Sequence, residues 1–299
     1  MMAIRELAGR AALVLGLIGA PGPEAGAEEL PVDLELVLAV DISGSVDGAE
    51  ARLQREGYIA ALRHPRVIEA IKDGMLGRVA LTYIEWAGDD YQRTVLDWAL
   101  VEDATGAFAL ADALAEAPLI SAQWTSLSGA LDYARPRFDG NGFKGMRRVI
   151  DISGDGYNNR GRPVERARDQ AVAAGITING LPIVNDRPNP WGSLPPKDLD
   201  HYFEDRVIGG PGAFIVVAKD YTAFASAILS KLLLEIAGGA STGTELSAAA
   251  RDSNGPTMIQ AMPTLRLHRL ADEYRLPKPG TTSRQASANR TQRPKSAYW

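Results

Sequence analysis

Short apolar segments of strand length alternate with segments of helical periodicity through the middle of this chain. The first pair is Leu34–Val40, rich in leucine and valine, and Asp47–Arg63, whose apolar residues recur at helical spacing. Further strands are predicted at 78–86, 94–98, 147–153, 177–182 and 213–217, and further helices at 104–116, 126–138, 163–174, 198–207 and 221–236. The alternation predicts an α/β fold: a doubly wound, mostly parallel six-stranded sheet with helices on both faces. The short Gly88-Asp89-Asp90 turn predicts one antiparallel edge strand.

The residue types that are missing narrow the possible chemistry. The 299-residue chain has no cysteine, which excludes disulfides, thiol nucleophiles, iron–sulfur clusters and cysteine-ligated zinc. Its three histidines are far apart in sequence, so a multi-histidine metal site is disfavoured. The net charge of −5 argues against a general nucleic-acid-binding protein. Carboxylate, hydroxyl and amide groups remain as the carriers of any site.

Both ends differ in composition from the middle. Residues 1–27 have two early arginines, a short apolar run and the small residues Ala25-Gly26-Ala27, which predict a secretory signal peptide; an uncleaved anchor is the alternative. No later stretch is long and apolar enough to span a bilayer. We therefore expect a secreted or periplasmic bacterial protein.

Charge divides the rest of the chain into two parts. Residues 240–299 carry nine basic and four acidic side chains, whereas residues 28–239 have an excess of ten acidic ones. We predict an acidic domain over 28–239, followed by a basic, largely disordered tail. The tail is either a solvated extension or a segment that contacts acidic surfaces.

A carboxylate and two hydroxyls follow the first predicted strand directly. Asp41, Ser43 and Ser45 alternate along the chain, so their side chains can converge, and Gly44 allows a tight turn. Such oxygen ligands suit Mg²⁺, Mn²⁺ or Ca²⁺. Taken alone, the motif is equally typical of a helix N-cap cluster, since Ser43, Ser45 and Asp47 are all residue types that favour helix starts.

Two later loops contribute matching groups. Thr125 lies at the start of a predicted helix, and Asp155 lies just beyond the strand that contains Ile150–Ile152. The carboxyl ends of parallel strands meet at one edge of a sheet, where ligands bind in such folds, so the three loops are expected to lie together. Asp151 is a rival to Asp155, but its position inside the strand favours a buried role.

With these residues the chain resembles the von Willebrand factor A domain, or integrin I-type fold, over roughly 32–237. The metal-ion-dependent adhesion site of that family consists of an Asp-x-Ser-x-Ser loop, a threonine in a second loop and an aspartate in a third. Asp41, Ser43 and Ser45 match the first loop, Thr125 the second and Asp155 the third, although Gly154 stands where a threonine is usual. More narrowly, the chain resembles the secreted bacterial domain-of-unknown-function family 1194, whose label implies no established activity.

The resemblance implies a protein-binding module. Ser43, Ser45 and Thr125 would supply oxygen ligands to Mg²⁺ (or Mn²⁺ or Ca²⁺), and Asp41 and Asp155 would act largely through water. The cation would then bind an Asp or Glu carboxylate of a partner protein, in adhesion or scaffolding.

A phosphohydrolase is the alternative function. Haloacid-dehalogenase-like enzymes use a nucleophilic aspartate on a similar sheet, and Asp41 has the corresponding position. Those enzymes place a general acid two residues later, where this chain has Ser43, so binding is favoured over catalysis.

Two loops are further candidates for the binding surface. Tyr157–Arg160 is a candidate for ligand specificity, and Asn185–Gly192, with Trp191, is a candidate for partner contact.

Overall fold

A five-stranded sheet organises residues 28–185, 187–188, 192 and 194–237, the part of the chain described by a computed structural model. Its strands are β1 Leu30–Asp41, β2 Val79–Trp86, β3 Gln92–Val101, β4 Phe143–Gly154 and β5 Thr177–Pro182. Their spatial order is β3-β2-β1-β4-β5, with β3 antiparallel to β2 and all other neighbours parallel. The predicted fold class and its antiparallel edge are confirmed. The predicted signal peptide and basic tail lie outside the described residues.

The predicted sixth strand, Ala213–Val217, is wrong as a full strand. This segment lies parallel to β5 but joins it through single bridges. Gly180 N donates to Phe214 O, and Val216 N donates back to Gly180 O, both at 3.0 Å. The next donor on β5 in a parallel ladder would be residue 182, which is a proline without an N–H group. Pro182 therefore interrupts the ladder at the outer edge of the sheet.

Seven helices surround the sheet in the described residues: α1 Gly48–Leu62, α2 Pro65–Lys72, α3 Ala104–Glu116, α4 Leu127–Ala134, α5 Val164–Ala173, α6 Leu199–Tyr202 and α7 Phe224–Ile236. Arg135–Phe138 extends α4 as a 3-10 turn, and Phe203–Val207 extends α6 as a π turn. The sequence analysis missed α2. Its start has clear causes, since Pro65 occupies the first turn and His64 Nδ1 accepts a hydrogen bond from Arg66 N. None of the described helices combines the length and apolar character that crossing a membrane requires.

The central strand β1 separates two hydrophobic cores. Leu36 and Leu38 face α1, α2, α3 and α7, whereas Val37 and Ala39 face α4 and α5 on the other side. Both faces of β1 are buried, which explains why its sequence is an apolar run without alternation. The loops that follow β1 and β4 therefore begin at strand ends that are fixed by packing on both faces of the sheet.

A close helix contact within the first core gives a stability prediction. A Cβ at Gly57 of α1 would lie 2.8 Å from the ring of Phe224 on α7. Gly57→Ala is therefore expected to destabilise the protein by about 1–3 kcal/mol in urea unfolding, because the overpacked helices must separate. Gly48→Ala is the matched control, since no atom lies within 4 Å of the added group. Equal unfolding midpoints for the two variants would contradict this packing argument.

Candidate metal centre

The loop after β1 connects directly to the loop after β4. Ser43 N donates to Asp41 Oδ1 at 2.7 Å, and the hydroxyls of Ser43 and Ser45 lie 3.0 Å apart. Ser45 Oγ then donates to Asp155 Oδ1 at 2.6 Å. The N-cap of α1 is Asp47, whose side chain accepts from two backbone N–H groups of the first turn. Asp47 therefore caps α1, whereas Ser43 and Ser45 do not cap it and face the neighbouring loop.

The second loop brings Thr125 to the same place. Its backbone N–H donates to Asn159 Oδ1 at 2.9 Å, and its carbonyl accepts from Asn159 N at 2.8 Å. A Cβ at Gly156 would lie 3.5 Å from Thr125 Oγ1, so this hydroxyl is adjacent to the residue that follows Asp155. Trp124, just before it, has φ +68°, the left-handed region, and no other non-glycine residue of the described chain has a positive φ. The backbone is strained where it presents the threonine.

A cavity of about 260 Å³ opens above these loops. Ser45, Thr125 and Asp155 line it, whereas Asp41 and Ser43 lie beneath and are almost fully buried. The structure therefore brings all five predicted residues to one edge of the sheet, in two layers. The rim includes side chains from both predicted contact loops, namely Tyr157, Asn159, Asn185, Arg187 and Pro188. Trp191 lies outside the described residues.

Without a cation, the buried carboxyl groups of Asp41 and Asp155 repel each other when both are charged. Burial, and then the charge of Asp155, raises the pKa of Asp41 well above its usual value. Burial also raises the pKa of Asp155, although hydrogen bonds from Ser45 and Tyr221 oppose this rise. No described residue donates a hydrogen bond to the buried Asp41 Oδ2. An orphaned carboxylate oxygen beside a second carboxylate fits a divalent cation held nearby.

The donor set suits a hard cation held mainly by hydroxyls. Among the described residues no group of three or more His, Cys, Asp or Glu side chains could hold a metal ion. The five converging residues include only two carboxylates, so a site here depends on the hydroxyls of Ser43, Ser45 and Thr125. Hydroxyl and carboxylate oxygens fit Mg²⁺, Mn²⁺ or Ca²⁺ and do not favour a soft metal.

The glycine that departs from the family motif has a local explanation. A Cβ at Gly154 would lie 3.1 Å from Asp41 Oδ2 and 3.3 Å from two ring carbons of Trp86. Trp86 ends β2 and is fully buried, so its indole occupies the space that a larger side chain at position 154 would need. The rival Asp151 lies inside β4, fully buried, and pairs with Lys231 away from the loops.

Two supporting residues escaped the sequence analysis. Tyr221 donates from its hydroxyl to Asp155 Oδ2 at 3.3 Å, and Gln54 Nε2 donates to the backbone oxygen of Asp41 at 2.9 Å. Both side chains are buried; Gln54 lies on α1, and Tyr221 lies just before α7. No local motif marks either position, so only the tertiary structure identifies them.

A family model described as a protein of unknown function (DUF1194) matches residues 31–240. This match spans most of the chain. The chain belongs to the DUF1194 family. The resemblance to that family expected from the sequence is thereby confirmed. No curated protein sequence matches this DUF1194 chain.

Solved structures provide distant likenesses to the DUF1194 chain. Proximal thread matrix protein 1 from the mussel byssus, with zinc occupied MIDAS motif, has 13% identity and a TM-score of 0.48 over 71% of this chain and 49% of its own. The chain thus spans about half the length of the mussel protein. The hypothetical protein BatB from Bacteroides thetaiotaomicron has 20% identity and a TM-score of 0.46, over 67% and 98%. A von Willebrand factor type A structure from Catenulispora acidiphila has 15% identity and a TM-score of 0.44, over 70% and 43%.

Proposed function

We propose that this DUF1194 protein is a divalent-cation-dependent protein-binding module. In this proposal Ser43, Ser45 and Thr125 hold the cation through their hydroxyl oxygens, and Asp41 and Asp155 bind it largely through water. The observation that carries the proposal is the buried Asp41 Oδ2, which no described residue satisfies and which lies beside a second buried carboxylate. A nearby cation relieves both the missing partner and the repulsion.

The division into two layers supports a role for each residue. Ser45, Thr125 and Asp155 face the cavity, whereas Asp41 and Ser43 lie below it. In this proposal Ser43 Oγ, 3.0 Å from Ser45 Oγ, binds the cation from below, and the Asp41 carboxylate neutralises its charge. Mg²⁺ suits this role because it usually retains several waters and binds few protein carboxylates, and Mn²⁺ and Ca²⁺ are the alternatives. When bound, the cation supplies a Lewis-acid position for an incoming carboxylate oxygen.

The size and the rim of the cavity support a protein side chain as the ligand. A volume of about 260 Å³ accepts an Asp or Glu side chain, with a rim of Tyr157, Asn159 and Arg187. Arg187 is mostly exposed and lies 3.8 Å from both Asp47 and Glu50. The partner in this proposal is therefore a protein that presents an acidic side chain, and adhesion or scaffolding is the biological role.

The cellular location is part of the same proposal. The composition of residues 1–27 favours export, so the module acts in the bacterial envelope or secreted space. The excess of basic residues over 240–299 favours contact with acidic surfaces.

The phosphohydrolase alternative is less well supported by the surroundings of Asp41. A nucleophilic carboxylate must reach a phosphorus atom, but Asp41 is fully buried beneath the cavity. The residue two positions later is Ser43, whose hydroxyl contacts Ser45 and offers no general acid of suitable pKa.

The test is a titration of the full chain with Mg²⁺, Mn²⁺ and Ca²⁺, followed by thermal unfolding and calorimetry. We expect the wild type to be stabilised by about 3–4 kcal/mol at cation concentrations of about 100–1,000 times Kd. The triple variant Ser43→Ala, Ser45→Ala, Thr125→Val removes the hydroxyls without changing charge and is expected to lose this response.

The matched control removes three exposed hydroxyls at α7, in Thr222→Val, Ser226→Ala and Ser230→Ala. It should respond as the wild type does. If no cation stabilises the wild type, the proposed metal site is wrong. Partner recognition has its own readout: glutarate, as a model carboxylate, should lower the water-proton relaxation enhancement of bound Mn²⁺, and no change would contradict carboxylate binding.

A further inference from the structure

A lysine and two carboxyl groups form a sealed cluster between α7 and the sheet. Lys231 of α7, Asp151 of β4 and Glu235, one turn after the lysine, have fully buried side chains. Lys231 Nζ lies 2.7 Å from Asp151 Oδ1 and 2.5 Å from Glu235 Oε1. The ring of Phe214 covers the ammonium group at 5.5 Å. This cluster is independent of the candidate metal centre.

The contact between Lys231 and Asp151 is close but does not satisfy the carboxyl group. Neither oxygen of Asp151 lies in a hydrogen-bond direction from any described donor, and Glu235 Oε2 also lacks a partner. One lysine cannot neutralise two buried carboxylates, and such an uncompensated charge is costly. Burial, and then the charge of Glu235, raises the pKa of Asp151 to about 7. Near neutral pH a substantial fraction of Asp151 is therefore the uncharged acid. An amine attacks the uncharged acid more readily than it attacks a carboxylate.

We propose that Lys231 and Asp151 condense into an intramolecular amide, with Glu235 transferring the protons. A proton first moves from the Lys231 ammonium group to the Asp151 carboxylate, 2.7 Å away, and the Nζ lone pair then attacks Cγ of the resulting acid, forming the N–C bond. Glu235 accepts a proton from Nζ and donates it to the departing hydroxyl, the C–O bond breaks, and one water leaves. Charge and atoms balance without an oxidant or a co-reactant. The sealed surroundings exclude water and so disfavour hydrolysis of the product.

The neighbouring polar groups hold Glu235 in place for this role. Asn179 Nδ2 donates to Glu235 Oε1 at 3.2 Å, and Asn179 Oδ1 accepts from Phe214 N at 3.1 Å. Arg147 donates to the backbone oxygen of Glu235 at 2.7 Å, fixing the end of α7. Asn179 is thus a positioning residue for Glu235. The resulting bond ties α7 covalently to β4, next to the central strand of the sheet.

Tryptic digestion of the denatured full chain tests the bond. Without it, trypsin releases 149–160, which contains Asp151, and cleaves after Lys231 to release 220–231. With it, Lys231 is blocked, and 149–160 is recovered joined to 220–251 with the mass of one water missing. Lys231→Arg keeps the positive charge but is expected not to condense, so its peptides should separate. Cleavage after the exposed Lys219 is the internal control for digestion.

Recovery of 149–160 and 220–231 as separate peptides from folded wild-type protein would overturn the proposal and leave an ion pair only. Glu235→Gln tests the proton transfer. Circular dichroism first establishes that this variant is folded, and joining is then followed over time. We expect its rate to fall by roughly 10²–10⁴-fold, the usual contribution of general acid–base catalysis. An unchanged rate in folded Glu235→Gln would exclude this role for Glu235.

Discussion

Lys231→Met is expected to destabilise the protein by about 3–5 kcal/mol in urea unfolding near neutral pH. The variant leaves Asp151 and Glu235 buried together without their cation, and the methionine cannot pair with either carboxyl. The direction of the effect is the same for an ionic contact and for a condensed amide, because both disappear with the lysine.

The size of this loss should depend on pH. Burial already raises the pKa of Asp151 from 3.8 to about 7 in the presence of Lys231, whose charge lowers it, so removal of the lysine raises it further. A carboxyl whose pKa is higher in the folded state binds its proton more tightly there, and stability is lost as pH rises from about 4 through the folded pKa. The deficit of Lys231→Met should therefore be larger at about pH 8 than at about pH 5.

A second substitution provides the control for the lysine variant. Lys231→Met combined with Asp151→Leu removes both members of the closest pair and leaves Glu235 with Asn179 as its hydrogen-bond donor. The double variant should recover part of the loss, because an apolar pair of similar volume replaces a buried charge without a partner. Unfolding energies that add, with no recovery, would show that the two side chains do not interact.

The sequence predicts most of this fold because β1, β2 and β5 are almost entirely buried and because α1 and α3 begin at local capping residues. Ala104–Glu116 and Thr177–Pro182 have the predicted limits, and each is delimited by local features such as the Asp103 cap of α3. The error at Ala213–Val217 came from a property of its neighbour, Pro182, which the segment's own apolar pattern does not reveal. Strand pairing is non-local, so a single residue on another strand decides whether a ladder continues.

Some residues of the candidate site can likewise be predicted from the sequence, and others cannot. Asp41, Ser43 and Ser45 form a motif in one loop, and sheet topology is sufficient to bring Thr125 and Asp155 to the same edge. Tyr221 lies 66 positions from Asp155, and Gln54 lies 13 positions from Asp41, on the helix after the loop; no spacing rule marks either residue. The pairing of Asp151 with Lys231 has the same character, because 80 positions separate its members.

Asp41→Asn is expected to weaken Mg²⁺ binding by about 10–100-fold, the usual effect of losing a group that acts on a metal through bound water. The substitution preserves shape and removes one of two buried negative charges. In the absence of divalent cations the same variant should be as stable as the wild type or more stable, because burial and Asp155 disfavour the charged form of Asp41. Calorimetric titration and thermal unfolding with EDTA or with Mg²⁺ measure the two effects separately.

These opposite effects distinguish a metal ligand from a structural residue. Asp139→Asn is the matched control, since Asp139 is exposed and precedes β4, at the opposite end of that strand from Asp155. It should change neither Mg²⁺ affinity nor metal-free stability. If Asp41→Asn instead lowers stability in EDTA and retains the wild-type response to Mg²⁺, then Asp41 supports the loop through Ser43 and does not serve a cation. If Asp41 lowers stability without a cation and raises it when a cation binds, its role is binding. An asparagine of the same shape would make the metal-free protein more stable.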